Sequence, residues 1–275
     1  MLSNSNRRGW MSRSRWAAVS AALLTALGLI DVQSVPAPGA SQGQTQSPSP
    51  LAPSQAGQPL PNRGSPGQAP PVTTAPKPLI MIDPAHGGSE SGAVLNPTIL
   101  EKDVTLSLAR RLRVDLETRG FVAELVRDGD INLSTDDRAA KANAARPALY
   151  VCLHATSESG GIGIYTAMPS DSGETNGPFT DWNTAQFSFL PTSRTAQQEI
   201  MAAIQKGGIP ARSLTARLRP LSNVTSPAVA VEVGPTKAEV SQVSADDFQQ
   251  SISAALANGI AQFLSNSGTS SGAAQ

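Results

Sequence analysis

Leu79-Ile80-Met81-Ile82-Asp83-Pro84-Ala85-His86-Gly87-Gly88 is an apolar run that stops at Asp-Pro and is followed at once by a histidine among small residues. A short apolar run bounded by turn formers reads as a buried strand. The two glycines let the backbone turn tightly behind the histidine. The chain has only 2 histidines, and the other, His154, also closes an apolar run, Ala148-Leu149-Tyr150-Val151-Cys152-Leu153. A third run, Ala228-Val229-Ala230-Val231, ends in Glu232. Three strands therefore deliver a metal-competent or proton-transferring group at their carboxyl ends.

Outward from this stretch, strands alternate with helical patterns. Residues 86–98 are rich in Gly, Ser and Asn and read as a loop. Val104, Leu108, Leu112 and Leu116 form an i, i+4 stripe, Glu101 stands at the start of that helix, and Gly120 follows it as a stop. Phe121 to Val126 is a second strand, and Ser134-Thr135-Asp136-Asp137 a capping box opening a helix to about Ala145. The run Ala148 to Leu153 is apolar throughout, as a strand buried on both faces reads. Gly163 to Ala167 is a short strand, Met168 to Pro191 a loop carrying Phe179, Trp182, Phe187 and Phe189, and Thr195 to Lys206 a helix. Ala211 to Leu221 is a polar edge segment and Ala228 to Val233 a buried strand. A last helix, Asp246 to Leu264, gathers Phe248, Ile252, Leu256, Ile260 and Phe263 on one side. The pattern predicts an α/β fold, a mostly parallel sheet flanked by helices on both faces, as a single catalytic domain after a disordered tether. In such sheets ligands collect beyond the carboxyl ends of the strands, where His86, His154 and Glu232 map, with Glu101 beside them.

The amino terminus has another character. Arg7, Arg8, Arg13 and Arg15 precede a mostly apolar, uncharged run from Trp16 to Ile30, and no acid occurs before Asp31. A basic segment before an apolar one reads as an export signal, or as a retained membrane anchor at residues 1–30. From Asp31 to Lys77 the only charges are Asp31, Arg63 and Lys77, and half of the 22 prolines fall here among Gln, Ser, Gly and Ala. Residues 31–77 are expected to be a disordered linker, because they bury too little apolar surface to offset their ordering entropy. A domain from 78 to 265 and a Ser/Gly/Ala-rich tail, 266–275, complete the division. The expected location is exported, periplasmic or cell-envelope, with membrane contact only through the N-terminal segment.

Composition excludes some classes. With 21 basic and 21 acidic residues the chain has no nucleic-acid signature. One cysteine, Cys152, excludes an internal disulfide framework.

Two histidines and a carboxylate can hold Zn²⁺ with one position open to water, and a second carboxylate can take that water's proton. His86, Glu101 and His154 suit the ligand roles, and Glu232 the base. Taken singly, a histidine at a strand end reads as a structural residue, Glu101 as an acid favoured by the helix dipole, and Glu232 as a partner for a buried arginine. Their convergence on one sheet edge is what favours a metal site. Asp83 reads either as a carboxylate orienting a ligand histidine or as a cap on the turn. Cys152, on the same strand face as His154, reads as a buried thiol before it reads as a ligand.

Ile82-Asp83-Pro84-Ala85-His86-Gly87-Gly88, Leu100-Glu101-Lys102-Asp103, Leu153-His154-Ala155 and Ala230-Val231-Glu232-Val233-Gly234 resemble, in order, the motifs of the zinc-dependent N-acetylmuramoyl-L-alanine amidases (amidase type 3 family). Arg127-Asp128-Gly129-Asp130, Arg138 to Asn143 and Gly163-Ile164-Tyr165 fit the intervening pattern. The resemblance covers about Pro78 to Leu264. It implies that His86, Glu101 and His154 hold zinc and that Glu232 is catalytic. The implied reaction is hydrolysis of the amide between the lactyl group of N-acetylmuramic acid and the first L-alanine of the peptidoglycan stem peptide. Ala85 stands where the family has glycine, Thr156 where it has asparagine, and Pro235 where it has an aromatic residue. These departures motivate two alternatives: a non-catalytic peptidoglycan-binding or regulatory module, and a zinc peptidase cutting elsewhere in the stem peptide. No activator protein is read from the chain. The loop 168–191 is short for a helix covering the site, and none is expected there.

Overall fold

The computed structural model describes residues 76–168 and 184–271. The expected signal or anchor, nearly all of the linker, and the part of the aromatic loop in which no covering helix is expected lie outside the described residues. Among the described residues, no helix is long and apolar enough to cross a membrane.

Among the described residues, six strands form one sheet: β1 (Leu79–Pro84), β4 (Val122–Leu125), β5 (Leu149–Ala155), β6 (Ile162–Ala167), β7 (Ala211–Ala216) and β8 (Ala228–Val233), in the order β4-β1-β5-β8-β6-β7. All neighbouring pairs are parallel except β6–β8, which is antiparallel. Only residues 156–161 separate β5 from β6. A parallel crossover needs a dozen or more residues, so β6 must reverse direction. Gly160 (φ 139°) and Gly161 (φ 83°) take left-handed conformations in that reversal.

The helices α1 (Glu101–Thr118), α3 (Leu190–Lys206) and α4 (Asp246–Ser271) cover one face, burying Leu108, Leu112, Leu116, Ile200, Ile204, Ile252, Leu256 and Ile260 against Ile80, Ile82, Val151, Ile164 and Val231. The opposite face carries α2 (Thr135–Ala145), whose Ala139 and Ala142 pack near Met81, Tyr150 and Cys152. Buried on both faces, β1, β5 and β8 form the centre of the sheet. The expected α/β architecture is the one observed.

Local differences have local causes. The expected loop 86–98 contains β2 (Val94–Asn96), which forms a hairpin with β3 (Ile99–Leu100) just beyond it, too short for an alternating pattern to register. Helix α3 begins at Leu190 instead of Thr195, because Pro191 sits in its first turn, where a missing N–H costs no hydrogen bond. The expected tail, 266–275, is not separate from the domain at its start, since α4 continues through Ser271. The capping box forms as read: Ser134 Oγ accepts from Asp137 N, and the Asp137 carboxylate accepts from Ser134 N.

Candidate metal centre

His86 follows the end of β1 in a left-handed conformation (φ 63°), with Gly87 and Gly88 also at positive φ. Histidine visits that region more readily than most side chains, yet it must be held there. Two buried arginines hold it. Arg138 donates to the carbonyls of His86 (2.6 Å) and Pro84 (3.0 Å), and Arg127 to those of Pro84 (2.9 Å) and Ala85 (3.0 Å). The positive charge of Arg138 is met by Asp83, wholly buried, which also accepts a hydrogen bond from Tyr150. Burial and Asp83 push the Tyr150 phenol well above its ordinary value, so it stays a donor. Asp83 therefore neither caps the turn nor orients an imidazole directly: it neutralises the arginine that fixes the His86 backbone.

Glu101 enters from the first residue of α1, which has no side-chain N-cap. The preceding loop caps it instead, Glu101 N donating to Ala93 O (2.9 Å) and Lys102 N to Ser91 O (3.1 Å). This arrangement turns Glu101 inward, 5% exposed. Its Oε1 lies 2.8 Å from His154 Nδ1 and its Oε2 3.2 Å from His86 Nε2. The N–H groups of Ala155 (3.2 Å) and Ala93 (2.8 Å) donate to the same two oxygens. Burial opposes the charge on Glu101, but His154 and His86 outweigh it and hold the carboxyl well below the usual carboxylate range. Burial likewise opposes the charge on His86, and Glu101 with Glu90 raises that imidazole above its ordinary value. Gly92 (φ 67°) lets the loop pass over both ligands, since a Cβ there would stand 2.6 Å from His86 Cδ2 and 2.7 Å from Glu101 Oε2.

The donor atoms of His86, Glu101 and His154 all lie within 4.8 Å of one another. A tetrahedral Zn²⁺ with ligands at about 2.0 Å needs donors roughly 3.3 Å apart, and the His86–Glu101 pair is already at 3.2 Å. Two imidazoles and one carboxylate also match the nitrogen and oxygen ligands of a zinc site. The residues fit a divalent ion. Glu232 lies beside them, opposite His154 on the neighbouring strand, and its Oε2 accepts from Tyr165 (2.8 Å). Cys152 is buried, burial with the nearby Asp83 pushes its thiol well above the ordinary value, and its sulfur does not join the group formed by His86, Glu101 and His154.

All four residues expected at the site thus meet at one sheet edge. Arg127, Arg138, Gly92 and Tyr165 are its unforeseen members. The sequence signal for Arg127, Arg138 and Tyr165 was their place in the intervening family pattern, which assigns them no role; in the fold Arg127 and Arg138 are 2% and 3% exposed.

Residues 80–262 match the sequence pattern of the family described as N-acetylmuramoyl-L-alanine amidase. The chain is 32% identical over 200 residues to an endolysin of Bacillus phage SPP1, covering 71% of this chain and 69% of that one. It is 37% identical over 111 residues to the N-acetylmuramoyl-L-alanine amidase AmiC of Neisseria meningitidis, covering 39% of this chain but only 25% of the relative. Among solved structures, the N-acetylmuramoyl-L-alanine amidase AmiC2 of Nostoc punctiforme superposes with a TM-score of 0.55 at 25% identity, over 70% of this chain and 99% of that one.

Proposed function

The chain belongs to the N-acetylmuramoyl-L-alanine amidase family, and from that membership and the site's geometry we propose that it is a zinc-dependent hydrolase of peptidoglycan. It cleaves the amide between the lactyl group of N-acetylmuramic acid and L-alanine. The observation that carries the reading is the single carboxylate of Glu101 shared between His86 and His154, with Glu232 one strand away.

His86, Glu101 and His154 would hold the ion. A bound Zn²⁺ supplies Lewis acidity, making a water molecule acidic near neutral pH and polarising the scissile carbonyl. Glu232 takes the proton of the attacking water on its carboxylate and returns it to the amide nitrogen as that bond breaks. The backbone amides of Ala93 and Ala155 hold Glu101 in its orientation. The Arg127–Arg138 clamp keeps the His86 turn from relaxing.

The departures from the family pattern leave this machinery whole. Ala85 is buried with its carbonyl bound by Arg127 and Thr105. Thr156 Oγ1 accepts from Glu158 N (3.1 Å), and Pro235 O accepts from Gly160 N (3.0 Å). In the same reading residues 1–30 direct export or anchor the protein, residues 31–77 tether the domain, and the enzyme acts in the cell envelope.

Incubation with purified cell wall tests the proposal. Intact stem peptides released with a free L-alanine amino group support the amidase. Single amino acids would instead indicate a peptidase, and wall binding without release a non-catalytic module.

A further inference from the structure

Glu232 on β8 pairs in the sheet with Gly163 on β6, and Gly163 pairs with Arg212 on β7. Gly163 brings no side chain to that row. Tyr165, two residues further along β6 and on the same face, lies back over the gap: a Cβ at Gly163 would stand 2.9 Å from Tyr165 Cε2. The phenol so placed donates to Glu232 Oε2 at 2.8 Å. From this arrangement we infer that Tyr165 is a positioning residue for Glu232, engaging one carboxylate oxygen so that the other faces the attacking water. The inference rests on the assignment of Glu232 as the base.

An ionised glutamate carries two acceptor oxygens on a side chain with three rotatable bonds. Unrestrained, it would spend part of its time turned away from the water it must deprotonate, and orientation of this kind contributes directly to rate. Tyr165 suits the task better than a lysine or arginine would, because a neutral donor restrains the carboxylate without neutralising its charge. Burial and Glu232 push the phenol up to about 12, with Arg212 on its far side opposing that rise. The group therefore donates throughout the neutral range, and it is too weak an acid to compete with Glu232 for the transferred proton. The arrangement needs both residues of the Gly163–Tyr165 pair, one to leave the space and one to use it.

The test is steady-state hydrolysis of purified wall by the zinc-loaded Tyr165→Phe protein, alongside Glu232→Ala and the double variant. The expected result is a kcat lowered roughly 10-fold, with KM, zinc content and thermal midpoint unchanged. That loss should disappear in the Glu232→Ala background, because only coupled residues depart from additivity. Gly163→Ala, which crowds the ring, should lower kcat in the same way. An unchanged kcat in Tyr165→Phe would overturn the inference. So would a raised KM with kcat intact, which would make Tyr165 a substrate contact, or an equal loss in both backgrounds. Should Glu232→Ala itself keep full activity, the base assignment would fail first, a result separable from failure at Tyr165.

Discussion

His154 and Glu232 occupy the same register position on the adjacent parallel strands β5 and β8, so their Cα atoms stand side by side at the edge of the sheet. Neighbouring strands lie about 4.8 Å apart, and the ladder of β5 and β8 leaves neither residue free to drift along its strand. A slip of one residue would turn Glu232 to the opposite face. The proximity of a metal ligand and a proton acceptor is thus a property of the sheet. Glu232→Ala should lower turnover at least ~10²-fold while the protein keeps its zinc. Parallel measurement of kcat and metal content checks this, and loss of zinc in the variant would instead make Glu232 a ligand.

Arg138 and Asp83 form a buried ion pair beneath the His86 turn, their side chains 4% and 0% exposed. Removing one partner leaves the other charged and uncompensated. Asp83→Ala should therefore cost about 3–5 kcal/mol of stability, read as a lowered urea midpoint. A change within experimental error would show that the carbonyls of Leu133, Pro84 and His86 alone satisfy Arg138.

Gly92 offers a sharper probe of the metal ligands than of the fold. Alanine there is strained at φ 67° and meets both His86 and Glu101. Gly92→Ala should weaken zinc binding by roughly 10-fold or more, the scale on which displaced supporting groups act, with the far-ultraviolet circular dichroism of the protein retained. Competition with a chelator of known affinity reads the effect.

The pH dependence of the metal-free protein follows from the two shifted groups. The pKa of His86 is raised, so its contribution to stability is complete below its unfolded value and is lost as pH rises through the folded one. The pKa of Glu101 is lowered, so its contribution is present above its unfolded value and is lost as pH falls. Without metal, the pair stabilises most between about pH 4.5 and 6.5. Zinc binds only the deprotonated imidazoles, so loading should move the stability maximum above that window. Thermal midpoints across pH, with and without zinc, measure the displacement. An unmoved maximum would separate the metal from these histidines.

Much of the site was legible because strand ends are legible. Apolar runs closing on His86, His154 and Glu232 placed three groups on one edge, and the stripe from Val104 to Leu116 placed Glu101 at a helix start. The remainder depends on contacts between residues far apart in the chain. In the sequence Asp83 offers an imidazole partner or a turn cap, and in the fold it meets Arg138, 55 residues away, and Tyr150. Tyr165 reaches Glu232 because β6 lies beside β8 with Gly163 opposite Glu232, a pairing that the sequence pattern does not announce. The hairpin β2–β3 has strands of 3 and 2 residues, too few for periodicity, although it leads directly into α1 and Glu101.

The central claim is that His86, Glu101 and His154 share one divalent ion. Elemental analysis of the purified protein after zinc loading and dialysis tests it most directly, alongside His86→Ala, Glu101→Ala and His154→Ala. One zinc per chain is expected in the parent, and a loss of bound zinc in each variant that still folds. Full retention of zinc by all three folded variants would contradict it.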